Sequence, residues 1–188
     1  MKNDIIRLGQ KVLEKKKEVG NMKNILSEKE FSFISDENKK FIVEFDKKIL
    51  ELGYGCDNSI GDGYCWGKYM IIYKKLGVKS KKIVARIYIR EKSILLRLYF
   101  NNIDKHKEYI ENSKDYIKEP FIGDNGKCNH CHNEKEKKCK FRKVYTIEDK
   151  YYEKCNGITF EFYEPTMEKL PDYINLLKEF YSIKKLKN

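Results

Sequence analysis

Apolar residues recur at two periods along this chain, and the change of period divides it into helices and strands. From 4 to 19 the apolar positions are Ile5, Leu8, Val12 and Val19, with Ile6 and Leu13 beside them, the spacing of one helical face. Asp4 can cap its first turn, and Gly20-Asn21 ends it. A connecting stretch over 22–35 leads to a second helical pattern at 36–52, with the stripe Phe41, Ile42, Phe45, Ile49 and Leu52. Asp36 is its expected N-cap and Gly53 its stop.

From Gly67 the period falls to two. The runs KYMIIYK at 68–74, KIVARIYIR at 82–90 and ILLRLYF at 94–100 are joined by LGVKS and by the Glu91-Lys92-Ser93 turn, which predicts an antiparallel meander. Alternation puts Arg86, Tyr88 and Arg90 on one face and Ile87 and Ile89 on the other, so one face is core and one is solvated or covered. Further on, Asp104 is expected to cap a helix ending near Asn112, and the chain then runs irregularly to Pro120. A hairpin pairs Arg142 to Thr146 with Tyr151 to Lys154, turning at Glu148-Asp149, and ITFEFYE at 158–164 forms another strand. The final helix starts near Pro171, a residue favoured at the first helical position, and runs to about Ile183 with Tyr173, Ile174, Leu177 and Phe180 on its apolar face. The pattern is an α+β fold, an antiparallel sheet packed with helices, in one domain over 1–188.

One stretch does not fit either period. Between Gly126 and Gly157 lie four of the six cysteines: Cys128 and Cys131 as a Cys-x2-Cys pair, then Cys139 and Cys155 at separations of 8 and 16. A two-residue spacer lets one tight turn aim both sulfurs at a common point, which suits tetrahedral Zn2+. The expectation is a structural zinc bound by Cys128, Cys131, Cys139 and Cys155, stabilising a small hairpin module inserted at 124–157. His130 and His132 are alternative ligands, most readily in place of Cys139. Four sulfurs leave no open position for water, so such a metal is structural and not catalytic.

The other two cysteines, Cys56 and Cys65, sit in GYGCDNSIGDGYCWGKY at 53–69, an irregular turn cluster with five glycines and the only tryptophan, Trp66. Buried inert thiols are the default reading, and Asp57 and Asp62 read as turn residues. A nucleophilic cysteine would need a base, and the only histidine outside the cysteine module is His106. Neither a phosphate-binding glycine loop, nor a Ser/His/Asp set, nor a zinc-protease helix motif occurs, so the common enzyme classes find no support.

Charge adds one consideration. With 40 basic and 29 acidic residues the formal net charge is +11, which attracts phosphate-rich partners. Arginine occurs only at 7, 86, 90, 97 and 142, so the excess is almost all lysine, and a solvated basic surface accounts for most of it. The densest segment is Lys68 to Lys92, which holds nine basic residues against Glu91 alone, interleaved with Tyr69, Tyr73 and Tyr88. No run of apolar residues is long enough to span a membrane, and the N-terminus lacks the pattern of a signal peptide. Clustered thiols without an export signal point to the cytoplasm.

From the helix at 36–52 through CWGKYMIIYKK, KIVARIYI and ILLRLYFNN the chain resembles the small bacterial domains grouped as YdhG-like, over about half its length. The resemblance implies a bacterial α+β domain and supplies no catalytic residues; the cysteine module departs from it. Two functions remain open. One is a non-enzymatic domain binding a ligand or protein segment on a concave sheet lined by Trp66, Tyr69, Tyr88 and Tyr99. The other is a nucleic-acid binder using Lys74, Lys75, Lys79, Lys81, Lys82, Arg86 and Arg90.

Overall fold

The computed structural model describes residues 22–56, 59–76, 82–124, 142–155 and 158–181. The helix expected at 4–19, the ligands Cys128, Cys131 and Cys139, the histidines His130 and His132, and Lys79 and Lys81 lie outside them.

After a helical turn at 22–26, helix α1 spans Asp36–Glu51. Its N-cap is Ser35 and not Asp36: the Ser35 Oγ accepts the Asn38 backbone N–H at 3.3 Å, while Asp36 sits in the first turn, where its charge faces the positive end of the helix. Gly53, at φ +82°, ends it in the left-handed conformation that glycine adopts without strain. Strands β1 (Tyr54–Gly55) and β2 (Gly61–Asp62) both pair with β3 (Tyr69–Lys75), which continues into β4 (Ile83–Ile89) and β5 (Ile94–Tyr99). The expected meander is thus formed and antiparallel throughout.

Asp104 does not cap a helix. The chain leaves β5 through Asn102 in the left-handed region, forms a 3-10 turn at Ile103–His106, and becomes α-helical only over α2, Lys107–Glu111. The Asp104 carboxylate instead accepts the Thr146 backbone N–H at 2.9 Å, tying the hairpin to the body. Residues 113–120, expected to run irregularly, contain most of helix α3, Asp115–Ile122. Burial of Ile117, Pro120 and Phe121 offsets the hydrogen bond that the proline ring removes. Strands β6 (Arg142–Ile147) and β7 (Lys150–Cys155) form a separate two-stranded sheet. Glu148 and Asp149 turn it at φ 51° and 58°, as a two-residue hairpin of the twist-compatible type requires. Strand β8 (Thr159–Tyr163) then pairs with β5, and α4 (Leu170–Phe180) closes the described chain.

The six-stranded sheet runs β1-β3-β4-β5-β8, with β2 beside β1 on the outer edge of β3. One face carries the core. Phe45 of α1 meets Tyr73 at 5.3 Å between ring centroids, Phe121 of α3 stacks on Phe160 at 4.2 Å, and Tyr173 of α4 meets Phe162 at 5.1 Å. Each such buried side chain contributes about 1.5–3 kcal/mol. All three helices therefore cover the face of β3, β4, β5 and β8 that holds Tyr73, Ile87, Leu96 and Phe160. No described helix is long and apolar enough to cross a membrane.

Candidate nucleic-acid interface

Strand register fixes what stands on the opposite face. Residues paired across neighbouring strands share a face, so Ile72, Arg86, Arg97 and Glu161 form one row across β3, β4, β5 and β8. Met70, Tyr88, Leu95 and Tyr163 form the next. Tyr88 and Leu95 are buried yet stand outside the contiguous hydrophobic core. This second face is thus a layer of its own, built from arginine and aromatic side chains.

Trp66 reaches onto it from the turn cluster. After β2, the Asp62 carboxylate accepts the Tyr64 backbone N–H at 2.7 Å, as expected of a turn residue, and Tyr64 takes φ 51° to start a 3-10 turn over Tyr64–Trp66. Gly63 and Gly67 hold this turn against the sheet. A β-carbon on Gly63 would lie 2.3 Å from the Gly67 carbonyl oxygen, and one on Gly67 would lie 2.7 Å from that of Ile89. The turn is pinned further by Arg90, whose Nε–H donates to the Trp66 carbonyl at 3.0 Å.

Trp66 then stacks on a guanidinium. Arg97 lies 3.7 Å from the Trp66 ring centroid and 5.1 Å from that of Tyr88, and its Nε is 2.8 Å from Glu161 Oε1. Arg97 and Arg86 each donate an Nη1–H to the phenol oxygen of Tyr88 at 3.2 Å, so two guanidinium groups converge on one acceptor. Arg86 also lies over Tyr99 at 5.5 Å, and Arg90 over Tyr163 at 5.5 Å. Burial raises the Glu161 carboxyl above its ordinary range, against the opposing pull of Arg97. Burial likewise raises the Tyr99 phenol, with Arg86 and Arg97 pulling the other way.

The structure thus joins residues that the sequence assigned to two different functions. Trp66, Tyr88 and Tyr99 from the ligand set share this face with Arg86 and Arg90 from the nucleic-acid set. Tyr69 does not: it stands on the core face, 5.2 Å from Phe31 and 6.1 Å from Phe33. Lys74 and Lys75 end β3, and Lys82 lies over the Tyr181 ring at 4.8 Å. Arg97, Glu161 and Tyr163 complete the cluster without having been singled out for it; the alternation in ILLRLYF and ITFEFYE marked their side of the strand, but only pairing between distant strands aligns them.

The thiol alternative finds no geometry among the described residues. Cys56 donates to the buried Asp46 carboxylate at 3.6 Å, Cys65 is exposed, and His106 pairs instead with Glu179 at 2.7 Å while its ring packs on Phe180. That His106 pair borders a cavity of about 610 Å³ between the 105–117 segment and α4, with Lys114 and Asp172 at its far side. The described residues bring together no group of three or more metal-ligating side chains. Of the four proposed zinc ligands, Cys155 is described; it ends β7 and is the register partner of Arg142 at the start of β6. Comparison of the chain with protein-family models, with curated proteins and with solved structures finds no match.

Proposed function

We infer that this protein is a non-catalytic binding protein for single-stranded nucleic acid, and that the strand lies on the arginine–aromatic face. The observation that carries this reading is the pair of rows across the sheet. Arg86, Arg97 and Arg90 alternate there with Trp66, Tyr88, Tyr99 and Tyr163, of which Trp66 and Tyr163 keep 37% and 47% of their surface exposed. Exposed rings offer stacking surfaces that any base can use, at about 1–3 kcal/mol per base, and the Arg86 and Arg90 guanidinium groups supply the charge that a backbone needs, while Arg97 is held by Glu161 beneath Trp66. A net charge of +11 adds long-range attraction of the same sign.

Zinc enters this reading as a staple. Cys139 precedes Arg142 by three residues in the sequence, and Arg142 is the register partner of Cys155. Three residues span at most about 10 Å of chain. Thiolates held by zinc belong in a reducing compartment, and we place the protein in the cytoplasm on that ground.

Because Trp66 is the only tryptophan, its fluorescence reports on the face directly. A single-stranded oligothymidylate is expected to quench it, with an affinity that falls steeply as salt rises from about 50 to 200 mM. An oligonucleotide that neither quenches Trp66 nor shifts in a gel at low salt would refute the reading.

A further inference from the structure

Within the arginine pair, one partner is neutralised by the protein and the other is not. Arg97 has Glu161 beside it in register. Arg86 has Ile72 on one side and Arg97 on the other, so no carboxylate flanks it. Like charges directly opposite on neighbouring strands repel, which leaves Arg86 with an unmet demand for an anion.

Its donors tell the same story. One terminal nitrogen reaches the Tyr88 phenol oxygen, the plane lies over Tyr99, and Nε is buried with no hydrogen-bond acceptor among the described residues; the Arg97 Nε also lacks an aligned hydrogen bond, but it has the Glu161 carboxylate 2.8 Å away. The Tyr88 oxygen already accepts two N–H bonds, one from each arginine, which leaves its O–H as the donor. Buried donors are satisfied in the great majority of cases, and a guanidinium offers a planar fork shaped for a tetrahedral or planar oxyanion.

We propose that Arg86, with the hydroxyl of Tyr88, is the seat of one phosphate group, flanked by the stacking surfaces of Trp66 and Tyr99. A small swing of the side chain turns its Nε–H and a terminal N–H toward the anion. The proposal rests on reading this face as the ligand interface, and it deepens that reading by assigning one discrete phosphate position on it. The phosphate is a phosphodiester within a strand or a free monoester, and these two sources separate experimentally.

The test is fluorescence anisotropy of a labelled ten-nucleotide oligothymidylate with wild type, Arg86→Met, Arg86→Lys and Tyr163→Ala, together with competition by inorganic phosphate against chloride at equal ionic strength. Arg86→Met keeps the length of the stem and removes the charge, so circular dichroism should be unchanged. It should weaken binding about 10–100-fold, the usual weight of a hydrogen-bonded charge, and lower the salt slope by about one. Arg86→Lys should recover only part, since lysine lacks the fork. Equal affinity for wild type and Arg86→Met overturns the seat; if Tyr163→Ala still weakens binding, the interface reading survives that loss. If the oligonucleotide fails to bind but phosphate binds in an Arg86-dependent way, measured by phosphorus resonance broadening, the seat stands for a free phosphate and the nucleic-acid reading falls.

Discussion

Removing Arg97 while leaving Glu161 in place is the most direct test of the layered face. Arg97 keeps only 7% of its surface exposed, and the Glu161 side chain keeps 13%. Arg97→Met deletes the 2.8 Å ion pair, the bond to Tyr88 and the stacking under Trp66, and strands a carboxylate in a site that already resists ionisation. Breaking a buried pair from one side costs about 3–5 kcal/mol. For a chain of this length each kcal/mol lowers Tm by about 2–4 °C, so a fall of roughly 6–20 °C is expected near pH 7.5. The pH dependence identifies the cause. Burial holds the Glu161 carboxyl above its unfolded value, so its stabilising protonated form is fully present below that value and is lost as pH rises through the folded one. Without Arg97 the carboxyl rises further, and the deficit of the variant should be smallest near pH 4 and grow toward neutrality. The double variant Arg97→Met with Glu161→Leu should return to within about 1 kcal/mol of wild type, because apolar residues of similar volume replace a buried pair at little cost. Urea denaturation followed by circular dichroism at both pH values measures all of this. A single-variant deficit that is the same at pH 4 and pH 7.5, or that persists in the double variant, would show that no buried ion pair organises the face.

Three further predictions concern the parts that hold the sheet in place. Tyr145 is buried and donates its hydroxyl to the Phe121 carbonyl at 2.6 Å, so Tyr145→Phe should cost about 1–2 kcal/mol by leaving that carbonyl unpaired, read as a fall in Tm; an unchanged Tm would remove the hairpin anchor from the account. The Tyr116 hydroxyl, and after it Lys114, hold the Asp172 carboxyl below its ordinary value against the opposing effect of burial; Asp172→Asn should therefore be less stable than wild type at pH 7, with the gap closing as pH falls below 3.8, and a gap that widens in acid would contradict this. Cys131→Ser should release zinc and lose several kcal/mol, and purified variant with wild-type metal content and Tm would defeat the metal assignment.

The sheet was legible because its strands are local in sequence and strongly alternating. KIVARIYIR and ILLRLYF are separated by one three-residue turn, and their apolar positions admit only one register against a core. The helix α3 was not legible: Pro120 reads as a breaker, and only contact with Phe100 and Phe160, distant in sequence, shows what the helix gains. The same distinction separates the halves of the candidate site. Arg86, Tyr88 and Arg90 announce a shared face through alternation alone. That Glu161 stands in register with Arg97 and not with Arg86 depends on β5 pairing with β8 across a gap of some sixty residues, which no local pattern encodes. Tyr69 shows the converse failure: one residue out of phase with Met70, it belongs to the core side with Phe31 and Phe33.

A sheet face that served stability alone would not be built this way. Across β4 and β5 the row places arginine against arginine, where a pair of apolar or opposite-charged side chains would be worth about 0.2–1 kcal/mol more. The neighbouring row shows that this face can be apolar, since Met70 and Leu95 flank Tyr88 on the same strands. Sequences break such local rules mainly at functional positions, where stability is given up for an interaction that the isolated fold does not contain. Arg97 is matched by Glu161 and Arg90 by the Trp66 carbonyl, whereas Arg86 has the Tyr88 hydroxyl and the Tyr99 ring but no carboxylate paired with it in register. Arg86→Met is therefore expected to melt no lower than wild type while losing affinity for phosphate, and this opposition of stability to binding is what separates a ligand seat from a merely decorative charge.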